Sequence, residues 1–162
     1  MRVRIAERAD LESVTRLINL AFRVEEFFIE GDRIQVASVL EIAEKGSFLL
    51  AEHGGGLAGC VSVELRGDRA YFGLLSVDPA RQRSGIGRLL VEAAEDHARR
   101  AGCRFMDMRI VNLREELPAF YRRLGYRETG TEPVPNTVRA KLPCHFINMT
   151  KSLETRAASD NV

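Results

Sequence analysis

The chain has 162 residues, 45 % of them apolar and 29 % charged, with a net charge of +1. That length suits one domain with a core of useful size, and the near-zero charge gives no bulk support for a nucleic-acid or membrane partner. No uncharged apolar run is long enough to span a bilayer, the start Met1-Arg2-Val3-Arg4-Ile5-Ala6-Glu7 lacks a signal-peptide core, and Cys60, Cys103 and Cys144 form no metal-ligand cluster, so reduced thiols in a cytoplasmic, metal-free protein are expected.

Val3 to Glu7 reads as a first strand. Asp10 is expected to N-cap a helix whose apolar residues Leu11, Val14, Leu17, Ile18, Ala21 and Phe22 repeat at the spacing of one face. A looser helical stretch runs from Ile34 to Glu44 and ends at Gly46. Between the two lies Val24-Glu25-Glu26-Phe27-Phe28-Ile29, whose aromatics fit neither helix. Three strands follow, from Ser47 to Glu52, Leu57 to Leu65 and Ala70 to Val77, joined by glycine-bearing hairpin loops. A long helix carries Ile86, Leu89, Leu90, Ala93, Ala94 and His97 on one face and stops at Gly102. Arg104 to Ile110 is a strand. Leu117, Phe120, Tyr121 and Leu124 mark a short helix, with Pro118 tolerated in its first turn. Tyr126 to Thr131 and His145 to Thr150 are the last strands, separated by a Pro-rich loop. The order predicts a mixed α+β (αβα) domain over residues 1–153 and a frayed polar tail over 154–162.

The most informative stretch is Leu74-Leu75-Ser76-Val77-Asp78-Pro79-Ala80-Arg81-Gln82-Arg83-Ser84-Gly85-Ile86-Gly87-Arg88-Leu89-Leu90. An apolar strand enters a basic, glycine-bearing turn that opens into a helix. Free backbone N–H groups and the positive end of the helix dipole then meet at one spot, joined by Arg81, Arg83 and Arg88, which makes a site for a phosphorylated ligand. A P-loop is excluded because the segment has no Lys. A dinucleotide fingerprint lacks its third glycine, Leu90 standing there, although Asp107 follows Gly87 at the distance of a ribose-binding acid.

Gln82-x-x-Gly85-x-Gly87, with Ser-Val-Asp-Pro before it and Arg-Leu-Leu after it, resembles the acyl-CoA pyrophosphate loop of the GNAT superfamily of N-acetyltransferases. The order of elements is also that of the GNAT fold, with a mixed, mostly antiparallel central sheet. The resemblance implies that backbone amides of Arg83, Ser84, Gly85, Ile86, Gly87 and Arg88, with Gln82, hold the pyrophosphate. It also implies that Leu75, Ser76 and Val77 pair with the pantetheine arm, whose amides match an open strand edge. Asn112 stands where many relatives touch the pantetheine. Its spacing to Tyr121 is two residues longer than in the form the motif usually takes, and a helix cap is the alternative.

Pro118-Ala119-Phe120-Tyr121-Arg122-Arg123-Leu124-Gly125-Tyr126 resembles a second signature of the same superfamily, which implies that Tyr121 stands beside the thioester sulfur. A core tyrosine on an apolar helix stripe is the alternative. Phenol has a pKa of about 10 and a thiol about 8.5, so Tyr121 is expected to hydrogen-bond the leaving thiolate more readily than to protonate it. A lysine-type amine at pH 7 is neutral about once in 2,500 molecules, so the acceptor must lose a proton. Some relatives carry a glutamate on the strand before the loop, but here Tyr71-Phe72-Gly73 has no acid. Glu26 is the candidate base, with Glu25, Glu64, His145 or a water chain as alternatives. Phe22, Phe27 and Phe28 with Glu25 and Glu26 suggest an apolar slot flanked by acids, suited to a cationic amine. The resemblance therefore implies an acetyltransferase taking acetyl-CoA and an amine acceptor, without metal, nucleic acid or membrane, and compatible with a homodimer. A non-catalytic acyl-CoA-binding module on the same fold is the other reading.

Overall fold

The computed structural model describes residues 1–154. Its elements are β1 (Arg2–Ile5), α1 (Leu11–Ala21), α2 (Val36–Lys45), β2 (Ser47–His53), β3 (Gly56–Arg66), β4 (Arg69–Val77), α3 (Ile86–Arg100), β5 (Phe105–Val111), α4 (Leu117–Arg123), β6 (Arg127–Pro133) and β7 (His145–Ser152). The expected tail falls, apart from Glu154, outside the described residues. The seven strands form one sheet in the order β1-β2-β3-β4-β5-β7-β6. Every neighbouring pair is antiparallel except β4 and β5, which α3 connects in parallel. The expected mixed, mostly antiparallel α+β architecture is the one observed.

The sheet has an apolar layer on each face, set by alternation along the strands. On one face Leu11, Val14, Leu17 and Ile18 of α1 and Val39 of α2 pack on Phe48, Leu50 and Cys60. On the other, Ile86, Leu90, Val91 and Ala94 of α3 pack with Tyr121 of α4 on Val61, Val63, Phe72, Met106 and Met108. Cys60 is fully buried, and burial pushes its thiol up to about 12, so it is an inert core residue.

Asp10 does not cap α1 as the sequence suggests. It already has helical backbone angles (φ −84°, ψ −16°), which turn its side chain away from the first N–H groups of α1. Its carboxylate instead takes the Glu7 backbone N–H at 2.7 Å and the Arg4 guanidinium at 2.8 Å. This closes a capping box on the 3-10 turn Arg8–Asp10 that leads into α1.

The α3 layer holds one buried charge. Glu95 is 3 % exposed, accepts the Tyr126 hydroxyl at 2.7 Å and the Lys151 ammonium at 3.0 Å, and has Arg99 no nearer than 4.0 Å. Removing Lys151 leaves this carboxylate in an apolar layer with one neutral donor. Lys151→Met is therefore expected to destabilise the fold by about 2 to 3 kcal/mol, and Tyr126→Phe by about 1 kcal/mol. Urea unfolding followed by circular dichroism measures both, and an unchanged midpoint for Lys151→Met would show that the ion pair is dispensable.

Candidate active site

The two central strands hold together over only three residue pairs, Arg69↔Phe105, Ala70↔Met106 and Tyr71↔Asp107. Beyond them β4 stays with β3 as far as Val77, and β5 stays with β7 as far as Val111, so the inner edges part. The cause is a bulge. Cys60 pairs with Ser76 and Ser62 with Gly73, which sets Leu74 and Leu75 together opposite Val61. Leu74 takes a left-handed conformation (φ +53°), and the extra residue bends β4 away from β5. The Ser76 hydroxyl donates to the Leu74 carbonyl at 2.9 Å, satisfying a group that the bulge frees. The backbone edges facing the gap keep unpaired donors and acceptors.

A cleft of about 1450 Å³ fills this gap. Leu75 and Val77 line it. Ser76 does not: its side chain is 1 % exposed and turned into the α1 layer, so only its backbone belongs to the strand edge.

At the mouth of the cleft, Asp78 caps the 3-10 turn Pro79–Arg81 by accepting the Ala80 N–H at 3.0 Å. The chain then needs two left-handed residues, Arg83 (φ +70°) and Gly85 (φ +83°), and Gly85 is the N-cap of α3. The first-turn N–H groups of α3 have no carbonyl ahead of them and open on the cleft with the positive end of the dipole. Gln82, Arg83, Gly85, Ile86, Gly87 and Arg88 all line it. Ser84 does not, because its hydroxyl donates to the Arg81 carbonyl.

The three arginines expected here separate. Arg81 is tied to the His53 carbonyl of the β2–β3 hairpin at 3.1 Å, and Arg88 pairs with Glu92 at 3.0 Å. Arg83 has no carboxylate partner among the described residues, and it is the cation left for an anionic ligand.

Tyr121 is brought into the same cleft by α4. Its ring packs on Phe120, Phe72 and Tyr126, with centroids 4.9, 6.0 and 6.0 Å away. It is 5 % exposed, and its hydroxyl has no hydrogen-bond partner among the described residues. No side-chain polar atom among the described residues is sealed from solvent without a partner. The small exposed part of Tyr121 therefore includes the hydroxyl, which opens on the cleft it lines. Burial pushes its pKa above the ordinary phenol value, so it is a hydrogen-bond donor at neutral pH.

The candidate bases also separate. Glu26 is exposed and lies outside the main cleft. Its neighbour Glu25 is buried, lines the cleft and pairs with Arg114 at 3.0 Å. Burial raises the Glu25 pKa against the pull of Arg114. Glu64 lines the cleft too, but its hydrogen bond to Arg66 lowers its pKa and makes it a poorer base. His145 is exposed, and its backbone is held by Asn112, whose side-chain oxygen accepts the His145 N–H at 2.8 Å. Asn112 thus joins β5 to the start of β7, neither lining the cleft nor capping α4, whose N-cap is Glu116.

Of the three aromatics expected around an acceptor, Phe22 lines the cleft under Arg33, whose guanidinium is 5.3 Å from its ring. Phe28 is fully buried and Phe27 is 55 % exposed, and neither lines the cleft. Sequence reasoning missed Tyr71, Arg33 and Arg114, all lining residues. Nothing in their local pattern marks them, because the topology alone brings them together.

A family model described as the acetyltransferase (GNAT) domain matches residues 44–128, just over half of the chain. The chain belongs to the GNAT acetyltransferase family. Its fold is similar to that of Ard1 from Thermoplasma volcanium, with a TM-score of 0.80 at 18 % identity over 95 % of this chain and 98 % of that one. It is also similar to the ribosomal-protein-S18-alanine N-acetyltransferase from Escherichia coli, with a TM-score of 0.75 at 18 % identity, covering 95 % and 94 % of the two chains. A third similar structure is yncA from Salmonella typhimurium, a putative acetyltransferase solved with its cofactor acetyl-CoA. It gives a TM-score of 0.74 at 24 % identity, covering 97 % and 96 % of the two chains. At these identities the likeness carries the fold and no more. No helix among the described residues is long and apolar enough to cross a membrane, and they contain no cluster of metal-ligating side chains.

The two loop glycines should respond differently to a methyl group. A Cβ on Gly85 meets nothing within 4 Å but is strained at φ +83°, so Gly85→Ala is expected to cost about 1 kcal/mol of stability. A Cβ on Gly87 would lie 3.7 Å from Phe120 and 3.9 Å from Val77, ordinary contact in a helical turn. Gly87→Ala should leave stability unchanged or slightly raised. Thermal melting of the two variants distinguishes them, and equal melting temperatures would refute the assigned conformations.

Proposed function

We propose that the protein transfers the acetyl group of acetyl-CoA to a primary amine of a small molecule or peptide, by direct attack of the amine on the thioester. The observation that carries this reading is the parting of β4 and β5, with the N-terminus of α3 at its mouth and the free phenol of Tyr121 beside it. The unpaired edge from Leu75 to Val77 suits the amides of a pantetheine arm. Backbone N–H groups from Arg83 to Arg88, with Arg83 as the unpaired cation, suit the pyrophosphate. Gln82 reaches the Val77 carbonyl at 3.5 Å, a long contact that joins the loop to the strand end. Ser84, Ser76 and Asn112 support the site through backbone or packing.

In this reading the amine reaches the carbonyl carbon as a neutral nucleophile. Its nitrogen forms the new bond to carbon as the carbon–sulfur bond breaks. The proton it loses goes to Glu25, in place of Glu26. Glu25 lines the cleft, and its raised pKa makes it a stronger base than Glu64, whose pKa the Arg66 hydrogen bond lowers. Sulfur leaves as a thiolate hydrogen-bonded by Tyr121. The phenol, with its pKa above 10, keeps its proton, and the thiolate takes one from solvent.

Acetyl-CoA is expected to raise the melting temperature by several degrees and NAD to leave it unchanged, because only a ligand of the native state stabilises it. Gly87→Glu, which sets a negative side chain into the cleft without disturbing the fold, should abolish the acetyl-CoA shift. A shift with NAD alone, or an unaltered shift in the variant, would overturn the assignment.

Turnover is tested on a panel of spermidine, the common amino acids, kanamycin and short peptides with free N-termini, read by release of thiol. Tyr121→Phe should bind acetyl-CoA within a few-fold of wild type and lose roughly 10- to 1,000-fold in kcat. Full turnover in that variant would make Tyr121 a core residue only. Binding without turnover of any amine would favour an acyl-CoA-binding module.

A further inference from the structure

Tyr71 stands at the apex of the parting, on the last residue pair that joins β4 to β5. Its neighbours Ala70 and Phe72 point into the layer shared by α3 and Tyr121. By strand alternation Tyr71 projects from the opposite face, the one that α1 and α2 cover. Its surroundings agree. The Arg66 guanidinium lies 4.7 Å from its ring centroid. A Cβ built on Gly73 would be 3.2 Å from Tyr71 Cε1, 3.8 Å from its Oη and 3.5 Å from Ser62 Oγ. The ring therefore lies along β4 over the bare backbone of Gly73, from the apex toward the open part of the cleft.

Among the described residues the Tyr71 hydroxyl makes no hydrogen bond, and no side-chain polar atom is sealed without a partner. It is reached from the cleft that Tyr71 lines. Tyr121 opens on the same cleft from the other face of the sheet. A thioester lying between the parted strands thus meets one free phenol from each side.

We propose that Tyr71 is the acceptor-binding residue: its hydroxyl oxygen accepts an N–H hydrogen bond from the incoming amine and turns the nitrogen lone pair toward the thioester carbon, across the sheet from the sulfur and Tyr121. This inference rests on the acetyl-transfer reading above. Tyr71 transfers no proton. Burial pushes its pKa up against the opposing pull of Arg109, Arg66 and Arg33, so the phenol stays protonated and acts through its lone pairs. The amine proton goes to Glu25 as before. Gly73 is a positioning residue, since any side chain there would displace the ring.

The test uses the panel amine with the highest turnover in the wild-type protein. Tyr71→Phe keeps the ring on Arg66 and removes one hydrogen bond, so kcat/KM for that amine should fall by about 5- to 30-fold. The loss should appear mainly in the amine KM, with the KM for acetyl-CoA and the melting temperature unchanged. Tyr121→Phe should show the converse split, losing kcat. Gly73→Ala must move the Tyr71 ring by a few tenths of an ångström and should lower kcat/KM for the amine in the same direction. In the Tyr71→Phe background the same change should have little further effect. If wild type turns over an amine and Tyr71→Phe matches it within two-fold, this inference is wrong and the acetyl-transfer reading stands. If wild type turns over none of the panel, the acetyl-transfer reading fails and takes this inference with it.

Discussion

The structure depends on a parallel contact that stops after three residue pairs. β4 and β5 meet at Arg69 to Tyr71 and then separate, so a sheet otherwise continuous from β1 to β6 is split at its centre. The split is held open by a local distortion. Leu74 sits at φ +53°, a conformation that disfavours a side-chain-bearing residue by about 1 kcal/mol or more. Two features over-determine it. The Leu74 side chain packs in the α1 layer, and the Ser76 hydroxyl takes the Leu74 carbonyl. Open strand edges usually invite pairing with another chain. Here the two edges face each other across the cleft, inside the molecule.

Two distant segments meet at one wall of the cleft. Ile29, between α1 and α2, bridges to Ala140, between β6 and β7. The Glu30 N–H donates to the Arg139 carbonyl at 2.9 Å, and the Lys141 N–H to the Phe28 carbonyl at 2.7 Å. Phe28 is fully buried and anchors this strap. The strap turns the adjacent Glu25 inward, where it meets Arg114 from the β5–α4 connection. One residue further on, the chain has turned and Glu26 faces solvent. The difference between an interior carboxylate and a surface one is thus a matter of which residue precedes the Phe28 anchor at the right distance.

That contrast marks what the sequence could and could not convey. Element order, the α1 and α3 faces and the turn around Gly85 were legible because each rests on local periodicity or on one backbone conformation. The motif singled out Tyr121, and the structure sets it in the wall of the cleft. The roles of Arg81 and Arg83 were not legible, since the hairpin carbonyl that captures Arg81 lies 28 residues away in the chain. Asn112 reads locally as a possible cap, but its partner is the His145 backbone, brought beside it by the pairing of β5 with β7. Asp10 reads as a cap for α1 because that pattern is common, and the Arg4 guanidinium that redirects it comes from a strand. Tyr71 carried no mark at all. It stands where two strands part, a place that no run of neighbouring residues specifies.

Some of the charges around the cleft are spent on one another, while Glu30, Asp32, Arg33, Arg83 and Arg123 line it with no ion pair among the described residues. Glu25 and Glu116 share Arg114, Glu64 holds Arg66, and Glu132 holds Arg109. The polar groups left free along the parted strands are mostly neutral: two phenols and two backbone edges. That balance has a chemical consequence. A free carboxylate facing the amine would stabilise its ammonium form and deepen the 4 to 5 kcal/mol that a lysine-type amine needs, at about pH 7, to become a nucleophile. A carboxylate already matched by Arg114 does so much less, yet its raised pKa still lets it accept a proton. On the acetyl-transfer reading, charge on the other face of the sheet develops on sulfur as the thiolate leaves. A fixed neutral donor such as Tyr121 stabilises that charge as it appears, without a standing cation that would hold the thiolate product. On the same reading, two phenols that are neutral near pH 7, and that burial moves further from ionisation, suit a cleft that receives an uncharged nucleophile and releases a charged leaving group.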